Sequence, residues 1–304
     1  MASRIPYLKA GDRVALAAPA RAVSPEEMAP AIATLEEWGL KVVVPDGLYE
    51  RDGQLAGCDG HRAALMQRLL DDPNIAAIVC ARGGYGTVRI VDRLDLTRFA
   101  EHPKWIVGYS DVTVLHSHLQ ATLGLPTLHA TMPVNFPTDG SPCPATESLR
   151  HALFGTPQDI AWGAHPLDRK GTVQGMAVGG NLSILYSLLG SRSQVDTRGK
   201  ILLIEDLDEY LYHIDRMMQA LRRAGMLDGL AGLVVGALSD MHDNTIAWGH
   251  TAEEIVAEAV ADHNYPVAFN APIGHIGTAN QAITLGIPLT LTIETNGEKR
   301  IHTP

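Results

Sequence analysis

The chain has 304 residues, with 24 Lys+Arg against 34 Asp+Glu and a formal net charge of −10. At about 150 residues per domain this length predicts two domains, and roughly three quarters of the unfolded surface can be buried in a chain this long. The acidic balance excludes the basic stripe of a nucleic-acid binder and opposes attachment to an anionic membrane surface, while a hydrophobic content of 46% excludes wholesale disorder.

The N-terminus imitates a leader: Arg4, Lys9 and Arg13 precede Val14-Ala15-Leu16-Ala17-Ala18. The apolar run is too short for a signal peptide, follows Asp12 and is stopped by Pro19. Residues 13–18 therefore read as a first buried strand. Ser24-Pro25-Glu26-Glu27 starts a helix: Ser24 caps it, Pro25 suits its first turn and Glu27 completes a capping box. Met28, Ile32 and Leu35 follow at helical spacing, and Gly39 ends the pattern. A strand at 41–44, a loop at 55–60 and a helix at 61–70 come next, the helix stopped by Asp71-Asp72-Pro73. Residues 75–81 form an uninterrupted apolar run, as expected of a parallel strand covered on both faces. A short strand at 105–108 leads into a helical pattern over 111–120. Strand–helix alternation predicts right-handed crossovers and an open parallel sheet.

A proline-rich interval follows (Pro126, Pro133, Pro137, Pro142, Pro144), then a short helix at 147–154. Residues 155–170 are rich in Gly, Pro and His and read as a linker between domains at 1–154 and 171–304. The second half shows strands at 172–178, 201–205, 233–238, 267–270, 282–285 and 289–293, with helices at 181–189, 214–224 and 252–262. The two closing strands are spaced like a hairpin, which predicts a mixed sheet. The longest stretch without a charged residue, 171–191, is too polar and glycine-broken to span a membrane. Three cysteines, Cys58, Cys80 and Cys143, without a Cys-x-x-Cys pair, suit a reducing compartment and argue against a zinc-thiolate site. Cys80, at the end of an apolar run, reads as core.

The strongest chemical signal is Trp105-Ile106-Val107-Gly108-Tyr109-Ser110-Asp111-Val112. A strand ends, a Gly sits two residues before a Ser, and a helix begins, the layout of a nucleophile elbow with Val112 in place of the second Gly. Unpaired N–H groups at the helix start favour developing negative charge there. A plain N-cap role for Ser110 is the competing reading. A nucleophilic Ser needs a base and an orienting acid. His275 lies between Gly274 and Gly277 after an apolar strand, and Glu205 closes the run Ile201-Leu202-Leu203-Ile204. Taken singly, the first also reads as a surface turn and the second as a solvated strand end. Arg82-Gly83-Gly84-Tyr85-Gly86 follows the buried strand directly and can offer an oxyanion donor or form merely a tight turn. It is neither a dinucleotide fingerprint, because Arg89 stands where a third Gly is needed, nor a Walker loop. Gly179-Gly180-Asn181 opens a helix, where Asn181 either lines a pocket or caps.

Arg82-Gly83-Gly84-Tyr85-Gly86, Gly108-Tyr109-Ser110-Asp111, Gly179-Gly180-Asn181, Leu203-Ile204-Glu205-Asp206 and Gly274-His275 together resemble the LD-carboxypeptidases, the muramoyltetrapeptide carboxypeptidases of murein recycling, over nearly the whole chain. The resemblance implies an α/β fold with an N-terminal flavodoxin- or Rossmann-like parallel sheet and a smaller, β-rich C-terminal domain. It implies a serine peptidase that releases the terminal D-Ala from an L,D bond of a murein tetrapeptide in peptidoglycan recycling. Ser110 would be nucleophile, His275 base and Glu205 its orienting acid, with the Gly84 and Asp111 amides as oxyanion hole. Arg82, Tyr109 and Asn181 become candidate substrate-binding residues. A cytoplasmic homodimer without metal or cofactor is also implied. Many members carry a Gly-Pro pair shortly after the elbow helix, where this chain has His129-Ala130-Thr131-Met132-Pro133. A related activity, hydrolysis of aminoacyl-nucleotide antibiotics of the microcin C type, is the alternative. It goes with a longer chain and an adenine-stacking aromatic, and the interval between Ser110 and Glu205 is short, with Trp162 its one Trp.

Overall fold

The computed structural model describes residues 5–304; Arg4 of the leader-like N-terminus lies outside the described residues. The first half runs β1 (Arg13–Ala17), α1 (Pro25–Glu37), β2 (Lys41–Val43), α2 (Asp59–Asp71), β3 (Ile75–Cys80), α3 (Thr97–Glu101), β4 (Trp105–Gly108), α4 (Thr113–Leu123), β5 (Thr127–His129) and α5 (Pro144–Leu153). The α1 capping box forms as read: Ser24 Oγ accepts from the Glu27 amide at 3.3 Å and Glu27 Oε2 from the Ser24 amide at 2.8 Å, a cap contributing about 1 kcal/mol. Met28, Ala31 and Leu35 form its buried face. β1, β3 and β4 are buried on both sides. One core lies beneath α1 and α5, around Leu16, Leu35 and Leu149. The other lies beneath α2 and α4, around Met66, Ile78 and Leu115.

The second half runs β6 (Asp159–Trp162), β7 (Gly171–Asn181), α6 (Leu182–Ser187), β8 (Ile201–Leu207), α7 (Leu211–Arg223), β9 (Gly232–Ser239), α8 (Ala252–Ala259), β10 (Val267–Ala268), β11 (Ile283–Leu285), β12 (Pro288–Ile293) and β13 (Lys299–His302). Its seven-stranded sheet has the order β10-β9-β8-β7-β12-β13-β6. The run β7 to β10 is parallel, and β12, β13 and β6 are antiparallel. Met217, Met218 and Leu221 of α7 and Ile255 and Val256 of α8 bury one face of the parallel part.

Two expectations give way to longer-range pairing. The segment read as a linker at 155–170 contains β6, which pairs with β13 as the edge of the second sheet. The closing strands β11 and β12 do not pair with each other. β12 pairs with β7 and β13, whereas β11 crosses to the first sheet and pairs antiparallel with β5, giving the order β11-β5-β4-β3-β1-β2. Gly286, at φ +81°, makes the sharp exit between the two strands. Three residues of β11 thus tie the two sheets into one body.

Candidate active site

The carboxyl ends of parallel strands gather the chemistry, where helix N-termini and irregular turns leave backbone amides free. β4 ends at Gly108 and the chain turns at once into a 3-10 turn at Ser110–Val112 that continues as α4. Ser110 has φ +61°. A left-handed conformation at a residue other than Gly costs about 1–3 kcal/mol and gathers at functional sites. A plain N-cap is extended, as Ser24 is at φ −113° and ψ 162°, so the strain favours the elbow.

The glycine-rich turn after β3 lies against this serine. A Cβ placed on Gly83 would sit 2.9 Å from Ser110 Cβ and 3.0 Å from its Oγ. Among the described residues no protein acceptor takes the Gly84 N–H. Asp111 carries its own amide at the helix start and turns its buried carboxylate to the Thr87 amide, 2.9 Å from Oδ2. Burial pushes the Asp111 carboxyl pKa up against that hydrogen bond. Arg62, buried on α2, secures the turn from beneath by donating to Pro19 O at 2.5 Å, Gly86 O at 2.8 Å and Gly57 O at 3.3 Å, and to Asp59. Cys80 is fully buried, and burial, aided by the nearby Asp111 carboxylate, pushes its thiol up to about 12. Such a thiol is inert, as a core residue should be.

Glu205 and His275, the candidate acid and base, come from the second half of the chain. Glu205, on β8, is fully buried, and its Oε2 accepts from His275 Nδ1 at 2.6 Å. Burial works to raise its carboxyl pKa, but the two imidazoles beside it, His129 and His275, outweigh burial and bring it to about 2. Burial also works to lower His275; the hydrogen bond and charge of Glu205, with Asp206 behind it, outweigh burial and raise it. That orientation leaves His275 Nε2 for a nucleophile's proton. The loop of His275 rests directly on the acid, since a Cβ on Gly274 would meet Glu205 Cβ at 2.8 Å. Ser239 Oγ donates to His275 O at 2.9 Å and fixes the loop to β9.

Tyr109 joins the halves. Its ring lies 4.7 Å from the His275 ring and 5.8 Å from that of His129. Its hydroxyl accepts from Asn135 Nδ2 at 2.6 Å. Burial and the Glu205 charge push that hydroxyl up to about 12, so it stays neutral. The structure therefore brings Tyr109, Ser110, Asp111, Glu205, His275 and the Gly83-Gly84 turn to one junction.

The other two candidates have structural partners. Asn181 caps α6 through Oδ1, 3.1 Å from the Ile184 amide, and donates to Asp206 Oδ1 at 2.9 Å, so both ends of its amide are engaged. Arg82 is part-exposed and pairs with Glu27 at 3.0 Å. His129 was not legible as a site residue: it comes from β5, and only the fold delivers it to Glu205. A separate depression of about 620 Å³, lined by Trp162, Thr292, Glu298 and Arg300 among others, contains none of the junction residues. Trp162 is held there by its indole N–H, which donates to Phe269 O at 2.9 Å. Among the described residues no group of three or more His, Cys, Asp and Glu is arranged to hold a metal ion. No helix among them is long and apolar enough to cross a membrane.

Comparison with known proteins gives the family of the chain. Residues 14–130 match the LD-carboxypeptidase N-terminal domain and residues 174–291 the LD-carboxypeptidase C-terminal domain. The chain is 35% identical over 274 residues to the probable murein peptide carboxypeptidase of Bacillus subtilis, covering 88% of this chain and 85% of that protein. It is 29% identical over 283 residues to the murein tetrapeptide carboxypeptidase of Pseudomonas aeruginosa, covering 90% and 91%. In fold it is similar to the muramoyltetrapeptide carboxypeptidase from Oxalobacter formigenes, with a TM-score of 0.87 at 24% identity over 95% of this chain and 98% of that one. It is also similar to the microcin C7 self immunity protein MccF, with a TM-score of 0.85 at 21% identity over 98% and 97%. Matched by both domain models and by full-length relatives, the chain belongs to the LD-carboxypeptidase family.

Proposed function

We propose that the chain is a serine carboxypeptidase acting on the L,D amide bond that carries the terminal D-Ala of a murein tetrapeptide. The observation that carries this reading is the junction itself: a strained Ser110 at a helix start, next in sequence to Tyr109, whose ring lies 4.7 Å from that of His275, which is paired with Glu205 at 2.6 Å. Ser110 Oγ attacks the carbonyl as His275 Nε2 takes its proton. The amides of Gly84 and Asp111 stabilise the oxyanion, and His275 returns the proton to the leaving D-Ala amine. Water then hydrolyses the acyl-enzyme by the same route. Glu205 stabilises the imidazolium and fixes its tautomer. No step calls for a metal or cofactor. Three free cysteines suit a cytoplasmic enzyme, and a homodimer is the assembly we expect. Tyr109 lines the reacting centre, and Arg82 is available to a substrate carboxylate by exchange of its exposed Glu27 partner.

Aminoacyl-nucleotide hydrolysis finds no support at Trp162, which is locked on the far edge of the second sheet. The test compares two substrates: free murein tetrapeptide and an aminoacyl sulfamoyl-adenosine. Release of D-Ala, abolished in Ser110→Ala, is the expected result. Turnover of the nucleotide alone overturns the substrate assignment, and unchanged turnover in Ser110→Ala overturns the triad.

A further inference from the structure

Glu205 is fully buried, yet among the described residues only one of its oxygens has a partner. Oε2 holds His275 Nδ1, while Oε1 has no hydrogen bond. A buried carboxylate with an unpaired oxygen is costly. The polar atom facing Oε1 is Nε2 of His129, 3.8 Å away. His129 is itself fully buried, and among the described residues neither of its ring nitrogens has a partner. Two orphaned, complementary groups thus face each other one short movement beyond hydrogen-bond length. They lie on different sheets, His129 at the end of β5 and Glu205 on β8.

We infer that His129 is a positioning residue for the triad: its Nε2–H closes onto Glu205 Oε1, holds the carboxylate against rotation and shares its charge while His275 carries the proton. The inference rests on the triad reading above. His129 touches neither the nucleophile nor the substrate and acts only through Glu205.

The surroundings leave His129 no nearer acceptor than Glu205 among the described residues. His129 is framed by the Tyr109 ring at 5.8 Å and the His116 ring at 6.2 Å. His116 donates its own Nε2–H to Gly108 O at 2.9 Å and, pushed by burial to about 3, stays neutral. The charged or titratable groups facing the carboxylate are His275 from the loop after β10, His129 from β5, Tyr109 from the turn after β4, and Asp206 next in sequence. Burial and the charge of Glu205 push Asp206 up to about 7. Among the described residues His129 is therefore the first-sheet donor that faces Glu205 Oε1. Without it the carboxylate becomes more basic, binds the His275 imidazolium more tightly and raises the pH at which His275 is freed to act as base.

The test uses His129→Leu and His129→Gln, the second keeping an N–H donor on a side chain of similar reach. Each is assayed with the tetrapeptide and with a phosphonofluoridate, whose reaction with Ser110 needs the triad but no murein recognition. For His129→Leu the expected result is a fall in kcat of about tenfold with KM little changed, and an acid limb moved up by about one pH unit in both assays. His129→Gln should recover most of the rate and return the limb towards wild type. The low-field proton resonance of the His275–Glu205 hydrogen bond should shift in the Leu variant and not in the Gln variant. Coincident acid limbs in wild type and His129→Leu, or equal losses in the two variants, overturn the inference. If His129→Leu does not fold, His129→Gln decides: a wild-type limb and resonance support the donor role, and a displaced limb overturns it. If the phosphonofluoridate labels Ser110 normally but no tetrapeptide is cleaved, the substrate assignment fails and the positioning role is still judged from the labelling profile.

Discussion

A methyl group on Gly83 is the smallest perturbation that separates the nucleophile's geometry from the rest of the fold. Gly83 is not held at positive φ, so Gly83→Ala carries no backbone penalty of that kind. The added Cβ would meet Ser110 Cβ at 2.9 Å and Oγ at 3.0 Å, and the Met132 methyl at 3.4 Å. Carbon atoms prefer about 3.5–4.0 Å, so roughly 0.6 Å of relief is required. Met132 can swing aside, but Ser110 cannot, because its backbone is fixed at φ +61° between β4 and α4. Relief therefore displaces the Ser110 hydroxyl or opens the turn bearing the Gly84 amide. A misplacement of about 1 Å can cost about 100-fold in rate, so a loss of about 30-fold in kcat is expected, with KM within about twofold of wild type. The assay is steady-state release of D-Ala together with the pseudo-first-order rate of phosphonofluoridate labelling, and both should fall together. Thermal unfolding should move by only about 2 °C, because the change is confined to one turn. Wild-type kcat in a folded Gly83→Ala would refute the contact between turn and nucleophile, and with it the placement of the oxyanion donors.

Three further outcomes follow from the same geometry. Ser110→Gly should abolish activity yet raise the melting temperature by about 3 °C, since removing a strained left-handed residue releases about 1 kcal/mol net; calorimetry beside the activity assay checks this, and a lower melting temperature contradicts the strained elbow. Arg62→Met leaves the carbonyls of Pro19, Gly57 and Gly86 without their donor and should lower the melting temperature by about 10 °C, with an unchanged transition as the contrary result. Because the His275 pKa is raised above 6.5, its contribution to stability is complete below pH 6.5 and is lost as pH rises through the folded value. With His275 as the proposed base, catalysis needs the neutral ring, so kcat/KM should climb over the same interval. The stability difference between wild type and His275→Gln, followed by denaturant unfolding across pH 5–9, should shrink as activity grows, and parallel curves would rule out the linkage.

What could be read from the sequence was whatever local chemistry dictates. Ser24 to Glu27 announces α1 because both capping bonds form within four residues. The run ending at Cys80 announces β3 because a strand covered on both faces needs no alternation. The elbow was legible because Gly108, Ser110 and a helix start fall within six residues, and the glycine-rich turn because its composition has few other uses. What stayed hidden was set by distant partners. β5 is three residues long behind Pro126, and β6 lies in a Gly- and Pro-rich interval, so neither has a pattern of its own. β11 resembled half of a hairpin because spacing cannot show which sheet a strand joins. Asn181 carried the right surroundings for a pocket residue, but its amide is consumed by α6 and Asp206. His129 gave no signal at all, for its importance lies in an atom of Glu205, 76 positions away in the numbering, and only the pairing of β5 with β4 brings the two together.

The crossing of β11 bears on how the protein is made. The ribosome delivers β1 to β5, the elbow and the glycine-rich turn early, but the outer edge of β5 has no neighbour until Ile283 to Leu285 have emerged. Until then an unpaired strand edge is open to wrong partners, and Glu205 and His275, already synthesised, belong to a second sheet that β11 has not yet tied to the first. A translation product truncated just before β11 would therefore hold Ser110, Glu205 and His275 on sheets that lack this tie, and the proposed triad would be locked together only once synthesis has passed residue 285. The same strand that closes the sheet acts as a timer on the enzyme's first turnover.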